Sequence, residues 1–369
     1  MNPIISNISE EGDIYKFTLG GLNVSLVNAV RRIILSEIPC VVIKTETYQD
    51  NQCTISVNTG RLHNEILKQR LSCIPIHMKM NDINILPGKY TLEVDVNNDT
   101  DNMMYVTTEH FKLKSKESGN FLTRDETVKI FPPNNKIASY IDFARLRPKI
   151  SESIPGERLK LSAEFSISNA KENSSFNVVS KCAYGNTPDL IKVSELWEDR
   201  QKSLESQGVP PNDIEFQKKN YYILDSQRTF IPDSFDFKIR TIGVYDNKDI
   251  VRYATDVLER KFEEMLLKLD SGTVTILTSE TTIDNCYDII LEDEDYTIGK
   301  VIEYILYDKY YETEKTLSFC GFKKFHPHDT TGTVRIAFVQ PTDINIIKQH
   351  LHYACSEAKK LYKTIGKMF

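Results

Sequence analysis

Asn23-Val-Ser-Leu-Val-Asn-Ala-Val-Arg-Arg-Ile-Ile-Leu-Ser-Glu-Ile-Pro39 is the stretch on which the fold turns. Leu26, Ala29, Val30, Ile33 and Ile34 recur at i, i+3, i+4, i+7 and i+8, which predicts a helix from about Asn23 to Ser36 with one apolar face. Ahead of it, Ile14-Tyr15-Lys16-Phe17-Thr18-Leu19 alternates as a strand does, and Gly20-Gly21 marks the turn. The same order returns far downstream. Cys286 to Leu291 reads as a strand, Glu292 to Asp295 as an acidic turn, and Tyr296 to about Tyr307 as a helix. Laid over the first copy, Ser25 meets Thr297, and the five apolar positions meet Ile298, Val301, Ile302, Ile305 and Leu306.

Each copy ends in a long amphipathic helix. The first is expected from Asp249, a good N-cap, to Leu269, with Val251, Ala254, Leu258, Phe262, Met265 and Leu269 on one side. The second follows Pro341, with Asp343 as its cap, and carries Ile344, Ile347, Leu351, Ala354, Ala358, Leu361, Ile365 and Met368 at spacings of three and four. That seam extends over about seven turns and needs a partner helix to cover it. Between the copies lies only Asp270-Ser271-Gly272.

The middle reads differently. From about 46 to 176 it is strand-rich, with alternation in Tyr90 to Val96 and Lys160 to Ile167, and it is punctuated by Pro75, Pro87-Gly88, Pro132-Pro133 and Pro155-Gly156. We read it as a domain inserted into the first copy. A polar helical excursion from about Ser194 to Gln207, ending at Gly208-Val209-Pro210-Pro211, interrupts the return.

Composition narrows the function classes. The 369 residues are 40% hydrophobic and 27% charged, ordinary for a globular protein with room for two or three domains. No apolar run approaches the roughly 20 residues of a membrane helix, and the N-terminal segment lacks the pattern of a signal peptide. The expected setting is intracellular. The net charge is −6 and no Lys/Arg run exceeds two, so strong duplex binding by this chain alone is not expected. Seven cysteines are scattered without a CxxC pair, which spells neither a zinc ribbon nor a redox motif.

The quoted stretch, with its Asn-Ala-x-Arg-Arg-Ile-x-x-Ser-x-x-Pro core, closely resembles the first helix of the RNA polymerase alpha family, which includes the bacterial alpha subunit, the archaeal D subunit and the third-largest subunit of the eukaryotic enzymes. Asn64 to Ile76 is similar to that family's short helix and Pro-ended strand, and Phe235 to Gly243 to its closing strand. The last hundred residues resemble the smaller partner, the archaeal L-type subunit, through Glu294-Asp-Tyr-Thr-Ile-Gly-Lys300 and Leu317-Ser-Phe-Cys-Gly-Phe-Lys-Lys-Phe-His-Pro-His328. Fusions of the larger and smaller subunit suggest the polymerase of a large DNA virus.

The resemblance implies an α+β fold. Two alpha-type dimerisation modules stand in tandem, 1–45 with 177–270 and then 271–369, around the β-rich insert at 46–176. It implies a non-catalytic assembly subunit of a DNA-directed RNA polymerase, an internal pseudo-heterodimer and not a homo-oligomer. Its partners would be the largest and second-largest subunits and a small zinc-binding subunit. The expected location is virion and host cytoplasm for a viral chain, and otherwise the nucleus. Asn28, Arg31 and Arg32 are expected at the interface with the second-largest subunit, the two arginines pointing outward from the helix. Ile347, Leu351, Ala354 and Ala358 are expected in the seam. Many relatives carry a cysteine cluster or an iron–sulfur site in the insert; here the insert has only Cys53 and Cys73, and the family's Gly-Lys-Glu-His-Ala-Lys-Trp loop appears only as Ala170-Lys-Glu-Asn-Ser-Ser-Phe176.

Other readings are weaker. His326-Pro-His328 lacks a third metal ligand, the acidic run at 292–295 suits helix capping better than a magnesium site, and His63 beside Glu65 has no nucleophile to serve. A stand-alone enzyme or a DNA-binding clamp would need features the sequence does not display. No cofactor and no metal are therefore expected. Elemental analysis of the purified chain should find no stoichiometric zinc or iron, and a chelator should leave its melting temperature unchanged; one tightly held metal per chain contradicts this.

Overall fold

The computed structural model describes residues 2–151, 153–280 and 282–369, and its contacts gather them into two compact units. One unit combines 1–33, 181–240 and 251–369; the other holds 34–180 with 241–250. The fold class is α+β, as expected.

The chain opens with a hairpin, β1 (Ile4–Glu11) and β2 (Ile14–Gly20), and enters α1 (Val24–Ser36). The strand β1 was not anticipated, because its solvent-facing run Ser6 to Glu11 shows no apolar alternation. In β2, Tyr15, Phe17 and Leu19 are buried. Thr18 is buried too, and its hydroxyl is satisfied by Asp236 at 2.7 Å and Asn7 at 3.1 Å. Helix α1 starts where the Asn23 side chain accepts from the Ser25 amide at 2.9 Å.

The second unit begins within α1. It contains β3 (Cys40–Val42), β4 (Cys53–Asn58), α2 (Asn64–Ser72), β5 (Tyr90–Asn97), β6 (Met104–Thr107), β7 (Lys112–Ser115), α3 (Arg124–Ile130), β8 (Asp142–Leu146), β9 (Arg158–Glu164) and β10 (Ser166–Ser168). Strands order as β4-β9-β5-β7, with two small pairs, β6-β8 and β3-β10. Leu92, Val94 and Val96 of β5 and Leu159, Leu161 and Ala163 of β9 line one face, the period-2 pattern that the sequence displays. Phe111 meets Phe131 and Phe143 edge-on below them.

Back in the first unit, β11 (Val179–Pro188) leads into α4 (Leu190–Ser206) and α5 (Pro211–Ile223). The excursion is thus a helical hairpin. Pro210-Pro211 does not end it; Pro211 takes the first position of α5, where a missing amide costs nothing. Val193, Trp197 and Tyr221 form its small core, and the Tyr221 hydroxyl donates to the Val193 carbonyl at 3.2 Å.

The strand β12 (Phe230–Thr241) closes a four-stranded sheet ordered β1-β2-β12-β11, with Phe17 stacked on Phe237 at 4.9 Å. It leads to α6 (Asn247–Asp270), which starts two residues earlier than expected, so Asp249 sits in the first turn and is not the cap. At the far end the Gly272 amide donates to Leu269 and the Thr273 amide to Lys268, a Schellman closure for which Gly272 takes φ +72°. This glycine turns the chain sharply into β13 (Thr275–Thr278).

The last hundred residues run β14 (Cys286–Glu292), α7 (Tyr296–Leu306), β15 (Leu317–Lys323), β16 (Thr331–Phe338) and α8 (Ile344–Gly366). A π-helical turn at Tyr307–Thr313 extends α7, which apolar periodicity did not signal. Asp343 is the N-cap of α8, though its side chain makes no capping bond. The sheet order is β13-β14-β16-β15, antiparallel throughout. The sheets β1-β2-β12-β11 and β13-β14-β16-β15 therefore each place a hairpin beside the strand that feeds a long helix. The first residues of β2 and β14, Ile14 and Cys286, stand as far apart in sequence as those of α1 and α7, Val24 and Tyr296.

The ring of Phe322 fills the space that Gly299 of α7 and Gly332 of β16 leave open; a Cβ on Gly299 would lie 2.2 Å from it, and on Gly332 2.5 Å. We expect Gly299→Ala to cost about 1–3 kcal/mol through this overlap. Phe322→Leu in the same chain should recover part of the lost melting temperature. Full stability of the single variant would show that helix and ring can part freely.

Candidate functional site

Helix α8 buries Ile347, Leu351, Ala354, Cys355, Ala358, Leu361, Tyr362 and Ile365, all but Leu361 at 2% exposure or less. Of the seam expected from the sequence, Ile347, Leu351, Ala354, Ala358, Leu361 and Ile365 lie on this face, while Ile344 and Met368 at its two ends are exposed. Side chains flanking it fix the neighbour and its direction. Lys359 pairs with Glu263 at 2.8 Å and Lys363 with Glu259 at 3.3 Å, while His352 comes within 3.9 Å of Asp270. As numbers rise along α8 they fall along α6, so the helices run antiparallel. Phe262 stacks on Tyr362 with ring centroids 5.9 Å apart, and Gly366 comes against Thr255. The surface ion pairs contribute little energy and mainly fix register; the large buried side chains such as Ile347, Leu351 and Ile365 contribute about 1.5–3 kcal/mol each.

Two further contacts reach α1 and β2. The Tyr362 hydroxyl, wholly buried, donates to the Leu26 carbonyl of α1 at 3.1 Å. Burial pushes its phenol far above the ordinary range, so it stays neutral and keeps donating. Phe369 sets its ring edge-on against Phe17 at 4.9 Å and Tyr15 at 6.4 Å. Sequence reading had no means of finding either contact, since periodicity places side chains on a face without naming what lies opposite.

The acidic turn before α7 is the polar counterpart of this seam. Asp295 caps α7 by accepting from the Thr297 amide at 2.8 Å, the geometry Asn23 has with Ser25. Capping is what the run was expected to do. It does more. The Arg32 guanidinium donates to Asp295 at 2.6 Å and to the Thr297 hydroxyl at 2.7 Å, and Lys261 of α6 pairs with Glu294 at 3.1 Å. The Lys261–Glu294 pair is well shielded, 16% and 15% exposed. Burial raises the Asp295 carboxyl, but the Thr297 hydrogen bonds and the Arg32 charge outweigh it, and the group sits below the usual carboxylate range.

Arg31 and Arg32 differ in their partners. The expectation that both point outward is corrected: both are half-buried, and Arg32 is engaged in an ion pair inside the chain. A rotation of 100° per residue separates the two side chains around the helix. Arg31 is held by the Asn28 side chain at 2.8 Å, and its charge acts on Cys182 and Tyr184 of β11. Burial dominates there and pushes the Cys182 thiol up to about 12. Among the described residues no carboxylate pairs with Arg31.

Among the described residues no three His, Cys, Asp or Glu side chains converge as a metal site, and no helix is long and apolar enough to cross a membrane. His326 and His328 lie in a turn that Asp329 closes through the His326 amide, and His63 stands exposed before α2.

Residues 16–262 match the family model described as the RNA polymerase Rpb3/Rpb11 dimerisation domain. The chain belongs to this family. Among its relatives, DNA-directed RNA polymerase subunit Rpo3 of Pyrococcus furiosus is 23% identical over 286 residues, covering 72% of this chain and 97% of its own. The Rpo3 subunit of Thermococcus kodakarensis is 24% identical over 282 residues, covering 71% and 96%. A shorter match, 37% identical over 91 residues and 24% of each chain, joins it to the DNA-directed RNA polymerases I and III subunit rpac1 of Dictyostelium discoideum. In this Rpb3/Rpb11-family chain the match takes in Arg31, Arg32, Lys261 and Phe262; the acidic turn and α8 that they meet lie beyond it.

The Arg32–Asp295 pair makes a pH-dependent prediction. A depressed carboxyl contributes stability that is present above its unfolded value, near 4, and is lost as pH falls through the folded one. Arg32→Ala should cost about 0.5–1.5 kcal/mol at pH 7, discounted for partial exposure. The difference from wild type should shrink as pH falls from about 4 through the depressed Asp295 value, leaving only what the Thr297 hydrogen bond contributes. A constant difference across that range, read by thermal unfolding, would show the pair contributes nothing.

Proposed function

We propose that this chain is a non-catalytic assembly subunit of a DNA-directed RNA polymerase in which a larger and a smaller alpha-type subunit are fused. It holds the two large catalytic subunits together and also meets a small zinc-binding subunit. The observation that carries the reading is the antiparallel α6–α8 pair, which gives one chain the helix seam that a two-chain dimer would otherwise supply. Supporting it are two sheets of the same strand order, the matching Asn23 and Asp295 caps, and relatives named as polymerase subunits whose nearly full length leaves about a quarter of this chain unmatched. On this reading the modules are 1–45 with 177–270, and 271–369, around the insert at 46–176, and the fused chain acts as an internal pseudo-heterodimer. Fusion of this kind favours the polymerase of a large DNA virus, acting in virion and host cytoplasm.

Asn28 and Arg31 are the proposed anchors for the second-largest subunit. A guanidinium held in place by Asn28 and lacking a carboxylate partner is prepared for an acidic or carbonyl acceptor. Arg32, Ile347, Leu351, Ala354 and Ala358 belong to the internal seam. The test co-expresses the chain with the two large subunits of its own source. Asn28→Ala/Arg31→Ala should melt within a few degrees of wild type, yet capture of the second-largest subunit should fall at least about tenfold. Undiminished capture removes Arg31 from the interface, and failure of wild-type chain to capture either large subunit removes the assembly role.

A further inference from the structure

In the inserted domain, α2 and β8 border a cavity of about 620 Å³ that the assembly reading does not use. Its apolar lining is Leu62, Met103, Phe143 and Ala144, and four arginines stand around it, Arg61, Arg70, Arg145 and Arg147. Such a cluster is unexpected in a chain with net charge −6.

How each guanidinium is satisfied decides what the cavity can take. Arg147 is neutralised by Glu157, whose side chain is only 8% exposed and which also accepts from the Arg147 amide at 2.8 Å. Arg70 donates to the main-chain carbonyls of Phe143 at 2.8 Å and Asp142 at 2.6 Å, neutral acceptors that orient it without cancelling its charge. Arg145 lies over the Tyr105 ring at 5.0 Å. Arg61 is exposed. Among the described residues none of Arg61, Arg70 and Arg145 has a carboxylate partner. Against four arginines the lining offers only Glu157 and Asp142, so an excess of two positive charges faces the opening.

A guest must therefore carry at least two negative charges and an apolar group between them. Strand addition is not the mode: the carbonyls of Asp142, Phe143 and Leu146 on β8 are already taken by the side chains of Arg70 and Asn98. Recognition falls to guanidinium forks, which suit carboxylates in pairs, and to the apolar lining, which a bare anion would leave wet. We propose that this cavity docks an acidic peptide segment of a partner protein, which inserts one aromatic or aliphatic side chain between carboxylates anchored by Arg61 and Arg145. The proposal is independent of the polymerase reading, because it rests on residues the seam does not use.

The test is fluorescence anisotropy with the full chain and a labelled Glu-Asp-Phe-Asp-Glu peptide at low salt. Expected are saturable binding, weakening as salt screens the pairs, and at least a tenfold loss in Arg61→Ala/Arg145→Ala. The Gln-Asn-Phe-Asn-Gln and Glu-Asp-Gly-Asp-Glu peptides should each bind at least tenfold more weakly. Should the double variant melt early, Arg61→Ala alone carries the comparison, with at least a threefold loss expected. The proposal is overturned if the acidic peptide fails to bind, if the variants bind as wild type does, or if the glycine peptide binds equally. Displacement by millimolar inorganic phosphate as readily as by unlabelled peptide would overturn it too, marking a simple anion site.

Discussion

A 23-residue helix with an unbroken apolar face cannot stand in water, and α8 presents such a face from Ile347 to Ile365. Covering it requires partners alongside. In this chain α6, from Thr255 to Asp270, runs beside α8 from His352 to Gly366, and nearer the start of α8 the rings of Tyr310 and Phe338 lie against His350. The Schellman closure at Gly272 turns the chain back where α6 ends, so α6 and β13 are joined without a free linker. At so short a span the effective concentration of one half for the other lies in the millimolar range or above, which favours pairing within the chain over exchange between copies.

Apolar burial is indifferent to which halves pair, and the polar contacts supply the discrimination. Asn23 and Asp295 occupy the same place at the start of α1 and α7 and cap in the same way, but only Asp295 carries a charge. Arg32 reaches across to that charge. If two first halves met in the same geometry, Arg32 would find Asn23 there and no carboxylate. The Lys261–Glu294 pair adds the same bias, since it too joins a cation of the first half to an acid of the second. In these two pairs the cation comes from the first half and the acid from the second, which favours the unlike pair over the like one; Lys359–Glu263 and Lys363–Glu259 also join unlike halves, with the charges the other way round.

Periodicity exposed the helices and strands that carry this arrangement. The apolar positions of α1, α7 and α8 were legible because one face of each is buried, and the alternation in β2, β5 and β9 because one face of each sheet is. What stayed hidden follows from the same rule. The strand β1 is polar along its exposed run, the π-helical turn at Tyr307 to Thr313 departs from the 3.6 period, and Pro211 reads as a stop while serving as a start. Among candidate interface residues the apolar set was legible from spacing alone. The separation of Arg31 from Arg32 was not, because two adjacent arginines look alike until the neighbour of each is known.

That separation bears on how assembly is organised. Asn28 and Arg31 sit on the helix whose Leu26 carbonyl receives the Tyr362 hydroxyl and whose Arg32 is tied to the acidic turn. The orientation of α1, and with it the direction in which Arg31 presents its charge, therefore depends on contacts contributed by the last hundred residues. A guanidinium presented in a fixed direction loses less conformational freedom on binding than one free to sweep. The seam would then act on docking without touching the partner. Weakening it at Asp295 or Tyr362 should loosen α1 and reduce capture even with Arg31 in place. On the proposed docking role of Arg31, internal pairing comes before external assembly, because the direction of that guanidinium is set by the last hundred residues.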